Sequence, residues 1–156
     1  MSKVTPGRFT TENKEDIVVF LIGMRINQYW KPHKWLPVFA SMPPLIKELY
    51  QNKEALGFLS MESYFGLRTS VMIQYWRSID HLHAYAHQQQ HLQAWKNFMQ
   101  RVGKSNSVGI YHETYPITSG QYESVFSNMN DYGLAKALPK IPITASLHTA
   151  KQRLQP

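Results

Sequence analysis

The segment Val108–Tyr115, VGIYHETY, has the composition of a β-strand and places an imidazole beside a carboxylate. β-branched and aromatic residues favour strands, and the cluster GKSNS at 103–107 predicts a turn before this one. Successive side chains of a strand point to opposite faces of the sheet, so His112 and Glu113 cannot form one acid/base pair. The pattern leaves open which of the two residues faces a pocket.

A second strand and a helix are predicted in the N-terminal third of the chain. Residues 17–26 (IVVFLIGMRI) form a nearly continuous hydrophobic run, which is typical of a strand covered on both faces. A connection with two prolines follows. We then expect a helix from Leu36 to about Asn52, in which Pro43 and Pro44 predict a kink or a new start.

The middle of the chain predicts a hairpin followed by helical segments. Residues 56–67 and 69–76 form the hairpin around a turn at 66–68, because the first of them alternates with a period of two. Ser78 is expected to cap a helix, and a second apolar helical face runs from Leu92 to Val102. The polar stretch 87–91 between them predicts a break.

The order of these elements predicts the fold class. Strand, helix, strand, strand, helix, strand is the β-α-β-β-α-β pattern, an α+β architecture with a ferredoxin-like antiparallel sheet and two helices on one face. We expect a single domain over residues 1–156, with a polar N-terminal arm at 1–16 and a tail at 138–156. A short strand is expected from Tyr122 to Asn128, and Thr144 is expected to cap a last short helix. The other face of the sheet is too apolar for water, and a second subunit is its simplest cover.

Composition narrows the classes of function. Seventeen Lys and Arg against ten Asp and Glu give a net charge of +7, but the basic residues are scattered, which disfavours nucleic-acid binding. The absence of cysteine excludes disulfides, thiolate metal ligands and a cysteine nucleophile. No stretch approaches the roughly 18 apolar residues of a membrane helix, and the N-terminus lacks an apolar signal core. We therefore expect no membrane span and a cytoplasmic location.

Several segments together carry a family resemblance that covers nearly the whole chain. The chain resembles an uncharacterised, monooxygenase-like bacterial and fungal family, domain of unknown function 4188, in the dimeric α+β barrel superfamily. The segments that carry the likeness are Val18–Arg25, Gln74–Ser78, His91 with Ala94, Trp95 and Phe98, Gly109–Tyr115, Gly133–Ala135 and Arg153–Leu154.

The resemblance implies a homodimer in which the sheets of two subunits pair to form a barrel. It also implies a pocket between the sheet and the helices of each subunit. Small oxygenases, haem degraders, chlorite dismutases and aldoxime dehydratases share this scaffold, so the fold does not determine the chemistry. We expect a small-molecule oxidoreductase of monooxygenase type that acts on an apolar or aromatic substrate. The alternatives are a haem-binding enzyme, for haem degradation or aldoxime dehydration, and a non-catalytic dimer that binds a small ligand.

The candidate catalytic residues are His112, Glu113, His91 and Arg77. In a cofactor-free enzyme, His112 or His91 would act as the base that deprotonates an electron-rich substrate before it reacts with oxygen. A buried Glu113 would more often be paired with an arginine than catalytic, and Arg25 and Arg77 are its natural partners. A fixed hydrogen bond within the protein is the alternative role for His112 or Glu113.

The candidate cofactor-binding residues are His91, Asn27, Trp76 and Trp95. In related haem-degrading monooxygenases, an axial histidine lies on the second helix, and an asparagine from the first strand and a tryptophan from the third line the distal pocket. His91, Asn27 and Trp76 are similar in placement, although the spacing does not match residue by residue. The alternative is that Trp76 and Trp95 are core anchors and His91 is a hydrogen-bonded helix residue.

Three histidines also follow one another at helical spacing. His83, His87 and His91 would form one stripe on an unbroken helix, but the predicted break interrupts it and no acidic ligand lies at matching spacing. We therefore expect no metal site of protein ligands alone. The cofactor stays open between haem and none.

Overall fold

The structure is a computed structural model that describes residues 4–154. Its strands are β1 (Thr5–Thr11), β2 (Ile17–Ile26), β3 (Phe58–Phe65), β4 (Thr69–Trp76), β5 (Val108–Ile117), β6 (Phe126–Met129) and β7 (Lys140–Pro142). Its helices are α1 (Pro32–Gln51), α2 (Lys53–Leu56), α3 (Ile79–Ala86), α4 (Gln89–Arg101), α5 (Leu134–Ala137) and α6 (Ala150–Arg153), with a 3₁₀ turn at Ala145–Leu147.

A four-stranded antiparallel sheet in the order β3-β4-β2-β5 forms the centre of the molecule. This order is that of a β-α-β-β-α-β chain, because each helical connection passes over one strand: β2 to β3 over β4, and β4 to β5 over β2. Helices α1, α3 and α4 pack on one face of the sheet, called the helix face below. The predicted α+β fold and the predicted hairpin β3–β4 are confirmed.

Helix α1 starts earlier than predicted and is not interrupted. It begins at Pro32 rather than Leu36, because a proline in the first turn lacks only an N–H that has no helical partner there. Pro43 and Pro44 lie inside the helix and are exposed, so the carbonyls that lose their amide donors can bond to water. The predicted new start is therefore wrong, and the predicted kink at these prolines stays a prediction.

The predicted break between α3 and α4 is confirmed. The Ser78 hydroxyl caps α3 by accepting the His81 N–H at 3.3 Å, and α3 ends at Ala86, before α4 begins at Gln89. His83 and His91 therefore belong to different helices, and the stripe of imidazoles expected from an unbroken helix does not form.

A second, three-stranded sheet in the order β6-β1-β7 was missed by the sequence prediction. The polar arm supplies its central strand, β1, and the tail supplies β7; residues 1–3 of the arm and 155–156 of the tail lie outside the described residues. The strand predicted from Tyr122 is shorter and starts at Phe126. The predicted cap at Thr144 is wrong, because Thr149 caps the last helix through a capping box with Gln152.

The C-terminal half of the chain covers part of the face opposite the helices, called the outer face below. Ile17 and Leu59 of this face pack with Tyr122 and Leu138 in a buried cluster. Farther along β2, the Tyr111 ring lies across Gly23, where an added Cβ would stand 2.2 Å from a ring carbon. One end of the outer face is thus covered by the chain itself rather than by a second subunit.

An ion pair between the buried Glu62 and the exposed Lys136 ties the segment after β6 to β3. Glu62 is 8% exposed and accepts the Gly133 N–H at 3.0 Å and the Lys136 ammonium at 2.8 Å. The hydrogen bond to Glu62 raises the pKa of Lys136 above its ordinary value of 10.5.

We expect the stability that Lys136 contributes to depend on pH only in the alkaline range. A raised lysine pKa stabilises the folded state fully below pH 10.5, the unfolded value, and this stabilisation is lost as the pH rises through the folded value. Urea unfolding of the wild type and of Lys136→Met should therefore differ by a constant amount from neutral pH upward, and the difference should shrink above pH 10.5. If the difference already shrinks between neutral pH and pH 9, the assignment of this stabilisation to Lys136 is wrong.

Candidate functional site

A cavity of about 560 Å³ lies between the helix face of the sheet and helices α1, α3 and α4. Its floor is formed by alternate residues of β2, β4 and β5, and its walls by the apolar sides of the three helices. The size is in the range of pockets that hold drug-sized molecules. Most of the lining is apolar or aromatic, which favours a ligand of the same character. The apolar lining includes Phe20, Ile22, Met72, Trp95, Phe98 and Ile110.

His112 is the candidate catalytic residue that faces this cavity from β5. Its ring lies 5.7 Å from the Phe20 ring, and within residues 4–154 its nitrogens have no hydrogen-bond partner. Strand β5 is an edge strand of the sheet, so the imidazole is also open to solvent. A free imidazole beside an apolar cavity is able to accept or donate a proton to a bound molecule.

Glu113 lies on the outer face and does not line the cavity. Its carboxylate accepts the Tyr115 hydroxyl hydrogen at 2.5 Å, and this bond raises the pKa of Tyr115. Glu113 is exposed, so the condition under which an arginine partner was expected is not met; Arg77 pairs with Glu54, and Arg25 forms no ion pair with Glu113. Arg77 does not line the cavity either, since it follows β4 on the surface.

His91 lies in the wall of the cavity on α4. Its Nδ1 lies 3.2 Å from the Ala86 carbonyl oxygen, and its ring contacts Tyr85 with 5.3 Å between centroids. A carbonyl oxygen can only accept, so Nδ1 carries the hydrogen and Nε2 keeps its lone pair. His91 can therefore act as a base or donate its Nε2 lone pair to a metal ion. His83 also lines the cavity, whereas His87 does not.

The two tryptophans proposed to line a cofactor pocket differ in position. Trp95 lines the cavity and is 49% exposed. Trp76 is fully buried and does not line the cavity. Its ring centroid lies 5.4 Å from those of Phe58 and Tyr85, so it is a core residue. Asn27 follows the last residue of β2, is exposed and does not line the cavity; its Nδ2 lies 3.7 Å from the position of a Cβ on Gly109, a residue of the outer face.

Three polar residues of the site were not predicted from the sequence: Gln74, Tyr85 and Ser41. Gln74 lines the cavity from β4 and accepts the Trp76 Nε1 hydrogen at 3.0 Å through its Oε1. The Tyr85 hydroxyl is buried without a partner in residues 4–154, and burial, followed by the nearby Glu48, raises its pKa, so it stays protonated. Gln74 could have been found, since it is an isolated amide in the apolar strand TSVMIQYW.

A family model described as "Monooxygenase af470-like" matches residues 17–134, which include all the residues that line the cavity. The chain belongs to the monooxygenase af470-like family. The matched range spans the whole four-stranded sheet and its helices but leaves out β1 and β7, so the second sheet lies largely outside the part that defines the family.

The family match agrees with a curated relative. The chain is 24% identical over 148 residues to monooxygenase af470 of Aspergillus fumigatus, and the alignment covers 87% of this chain and 53% of that protein. The chain thus spans about half the length of the curated relative it matches.

Solved structures are similar in fold to this member of the af470-like family. An aldoxime dehydratase in complex with butyraldoxime superimposes with a TM-score of 0.72 at 17% identity, over 92% of this chain and 43% of that one. A second aldoxime dehydratase gives 0.70 at 17% identity, over 91% and 43%. These likenesses confirm the predicted α+β fold class and carry no information on the reaction.

Neither a metal-binding cluster nor a membrane-spanning helix is found in the described part of this af470-like chain. No group of three or more His, Asp or Glu side chains in residues 4–154 is placed to hold a metal ion. None of the helices in that range is long and apolar enough to cross a membrane.

Proposed function

We propose that this chain is an oxidoreductase of monooxygenase type that binds an apolar or aromatic molecule in the cavity between the sheet and the helices. The observation that carries the proposal is the unpartnered His112 imidazole beside an apolar cavity of about 560 Å³. The membership of residues 17–134 in the monooxygenase family supports the same class of reaction. The narrower assignment to domain of unknown function 4188 stays a prediction, as does a cytoplasmic location.

In the cofactor-free form of the proposal, His112 removes a proton from an electron-rich substrate. The resulting anion reacts directly with oxygen, and a methylene of the substrate becomes a carbonyl. One oxygen atom enters the substrate and the other leaves as water, so the substrate supplies all the electrons. The apolar lining, including Phe20, Ile22 and Ile110, shields from water the part of the anion that lies inside the cavity. His91 is the alternative base, since its Nε2 keeps a lone pair.

Oxygen uptake tests this function. Naphthols and hydroxyanthracenes with a reactive methylene or ring position are incubated with the protein under labelled dioxygen, and uptake and label in the product are measured. We expect uptake with a subset of them, and its loss in Ala94→Phe, which fills the cavity from α4. Binding of the same compounds without any uptake would favour the alternative of a non-catalytic ligand-binding protein.

A haem-dependent enzyme is the second candidate, and the geometry of His91 favours it. Ligating histidines usually donate their other ring N–H to a carbonyl or carboxylate, as Nδ1 of His91 does to Ala86. The residues present fit the group: His91 would hold the iron, and Trp95 and Phe98 would contact the macrocycle. Bound haem would supply an iron centre for oxygen or aldoxime chemistry. Neither Trp76 nor Asn27 is placed to contribute.

A haem titration tests this second candidate. We expect a Soret band in the wild-type protein that is lost in His91→Ala and kept in His83→Ala, because only His91 has its Nδ1 bonded to a carbonyl while it lines the cavity. His87→Ala, outside the cavity, serves as a further control. A wild-type protein without a Soret band would exclude this candidate and leave the cofactor-free form.

We also propose that the protein is a homodimer that associates through the outer face of the sheet. The chain covers the end of this face around Ile17 and Leu59 and the edge at Glu62, whereas Tyr111 and Tyr115 stay exposed on β5. Light scattering should give twice the mass of the chain for the wild type and a lower mass for Tyr115→Lys. A wild-type protein that is monomeric at micromolar concentration would contradict the dimer.

A further inference from the structure

Gln74 is a polar residue in an otherwise apolar part of the cavity floor. It lies on the helix face of β4 between Met72 and Trp76, lines the cavity and is only 6% exposed. A buried carboxamide has two donor hydrogens and an acceptor oxygen, and each needs a partner. The structure supplies a partner for only one end of it.

The orientation of the amide is determined by Trp76. The indole Nε1 can only donate, and it stands 3.0 Å from Oε1 of Gln74, so the oxygen must face the tryptophan. The NH₂ group of Gln74 then points away from the indole, and it has no hydrogen-bond partner within residues 4–154. The indole cannot accept, so a flip of the amide would place two donors against each other. Trp76 itself cannot move easily, since it is fully buried.

Gln74 and His112 stand at opposite sides of the floor. Gln74 pairs with Phe20 of β2, and Phe20 pairs with Thr114 of β5. The Cα atoms of Gln74 and Thr114 are therefore two strand spacings apart, roughly 10 Å. His112 lies two residues along β5 from Thr114, on the same face. The surface between the two polar ends is apolar, with Phe20 and Ile22. A flat molecule of about two fused rings can reach both ends.

We propose that Gln74 is a binding residue that donates a hydrogen bond to a carbonyl-type oxygen of the ligand. The ligand class is then an aromatic or polycyclic ketone, with its acceptor oxygen at Gln74 and its ionisable group at His112. Trp76 is the positioning residue, because it holds the amide with its donors toward the cavity. This inference rests on the proposed function, since it assumes that the cavity is the substrate site.

A pair of matched probes tests the role of Gln74. Both 6-acetyl-2-naphthol and 6-ethyl-2-naphthol carry the hydroxyl group, but only the first has a carbonyl oxygen. Dissociation constants are measured by fluorescence titration for the wild type, Gln74→Met and Trp76→Phe. Ser70→Ala is the control, since Ser70 lies on the same face of β4 outside the cavity. Ala94→Phe reports whether the probes occupy the cavity.

We expect the wild type and Ser70→Ala to prefer the acetyl probe by about threefold to tenfold, the range of one neutral hydrogen bond. The preference should disappear in Gln74→Met, while the ethyl probe binds as before. It should also weaken in Trp76→Phe, where the amide is free to turn its oxygen to the ligand, so the test stands even if Gln74→Met does not fold. Suppose that both probes bind the wild type and that Ala94→Phe blocks them. If the wild type then shows no preference for the acetyl probe, or the Gln74 and Trp76 variants keep the preference, the inference is wrong and the cavity proposal stands. If neither probe binds the wild type, both fail.

Discussion

Replacement of His112 by glutamine should lower turnover of a reactive aromatic substrate by about 10²- to 10⁴-fold, the usual contribution of a general base. Glutamine keeps a polar side chain of similar reach but cannot take up a proton. Because the ring has no hydrogen-bond partner within residues 4–154, its removal breaks no hydrogen bond in the described part of the protein and loses only the ring contact with Phe20. Glutamine can still form a hydrogen bond with the ionisable group of the ligand, so the dissociation constant should change by less than about threefold, the lower end of the range for one neutral hydrogen bond. Oxygen uptake at saturating substrate, with binding measured separately, checks both numbers.

Glu113→Gln is the matched control for His112→Gln. The two residues are adjacent, but Glu113 lies on the outer face and bonds to Tyr115, so its replacement should leave turnover nearly unchanged. Both variants are compared at the same oligomeric state, because the outer face is the proposed dimer surface. Equal loss of turnover in the two variants would contradict the assignment of the base to His112. A large loss only in His91→Gln would move the role to the other imidazole.

Trp76→Ala should lower the free energy of unfolding by about 3–5 kcal/mol, as expected for removal of a large aromatic side chain from a core. Trp76 is completely buried and packs against Phe58 and Tyr85, and its loss also leaves the Gln74 oxygen without a donor. Urea unfolding followed by circular dichroism measures the change. The prediction treats Trp76 as a core residue rather than as a wall of a cofactor pocket.

Trp95→Ala is the comparison for Trp76→Ala. Trp95 is 49% exposed and lines the cavity, so its removal should lower the free energy of unfolding by less than about 1.5 kcal/mol, since about half of its surface is already in water. It should instead weaken the binding of naphthol probes. If the two variants lose the same stability, or if Trp76→Ala changes ligand binding without destabilising the protein, the assignment of Trp76 to the core would be wrong.

Local patterns were sufficient to predict the main sheet. The strands at 17–26 and 69–76 have the bounds that their hydrophobic runs indicate, and Ser78 caps the helix that it was expected to cap. These features depend on residues that are neighbours in the chain, so short-range periodicity and capping chemistry report them directly. The second sheet does not have such a signal. Its central strand β1 pairs with residues more than a hundred positions away, and its composition is that of a polar arm.

The site residues also divide into features that local sequence patterns predict and features that only tertiary packing determines. Asn27 and Trp76 were placed in a cofactor pocket by their resemblance to residues of haem-degrading monooxygenases, yet Asn27 lies beside Gly109 outside the cavity and Trp76 lies beneath α3. Gln74 is recognisable in the sequence as a polar residue in an apolar strand, but the direction of its amide depends on the Trp76 indole. A hydrogen bond of this kind follows from side-chain packing, which strand periodicity does not describe.

The period of a strand was enough to separate His112 from Glu113, because adjacent side chains of a strand always point to opposite faces. It could not assign either residue to the cavity, since periodicity describes the relation between the two faces and not what covers each of them. The helices α1, α3 and α4 pack on the side of Phe20, Ile110 and His112 and enclose the cavity there. Contacts between residues far apart in the chain thus left His112 free beside an apolar cavity and Glu113 bonded to Tyr115 on the outer face.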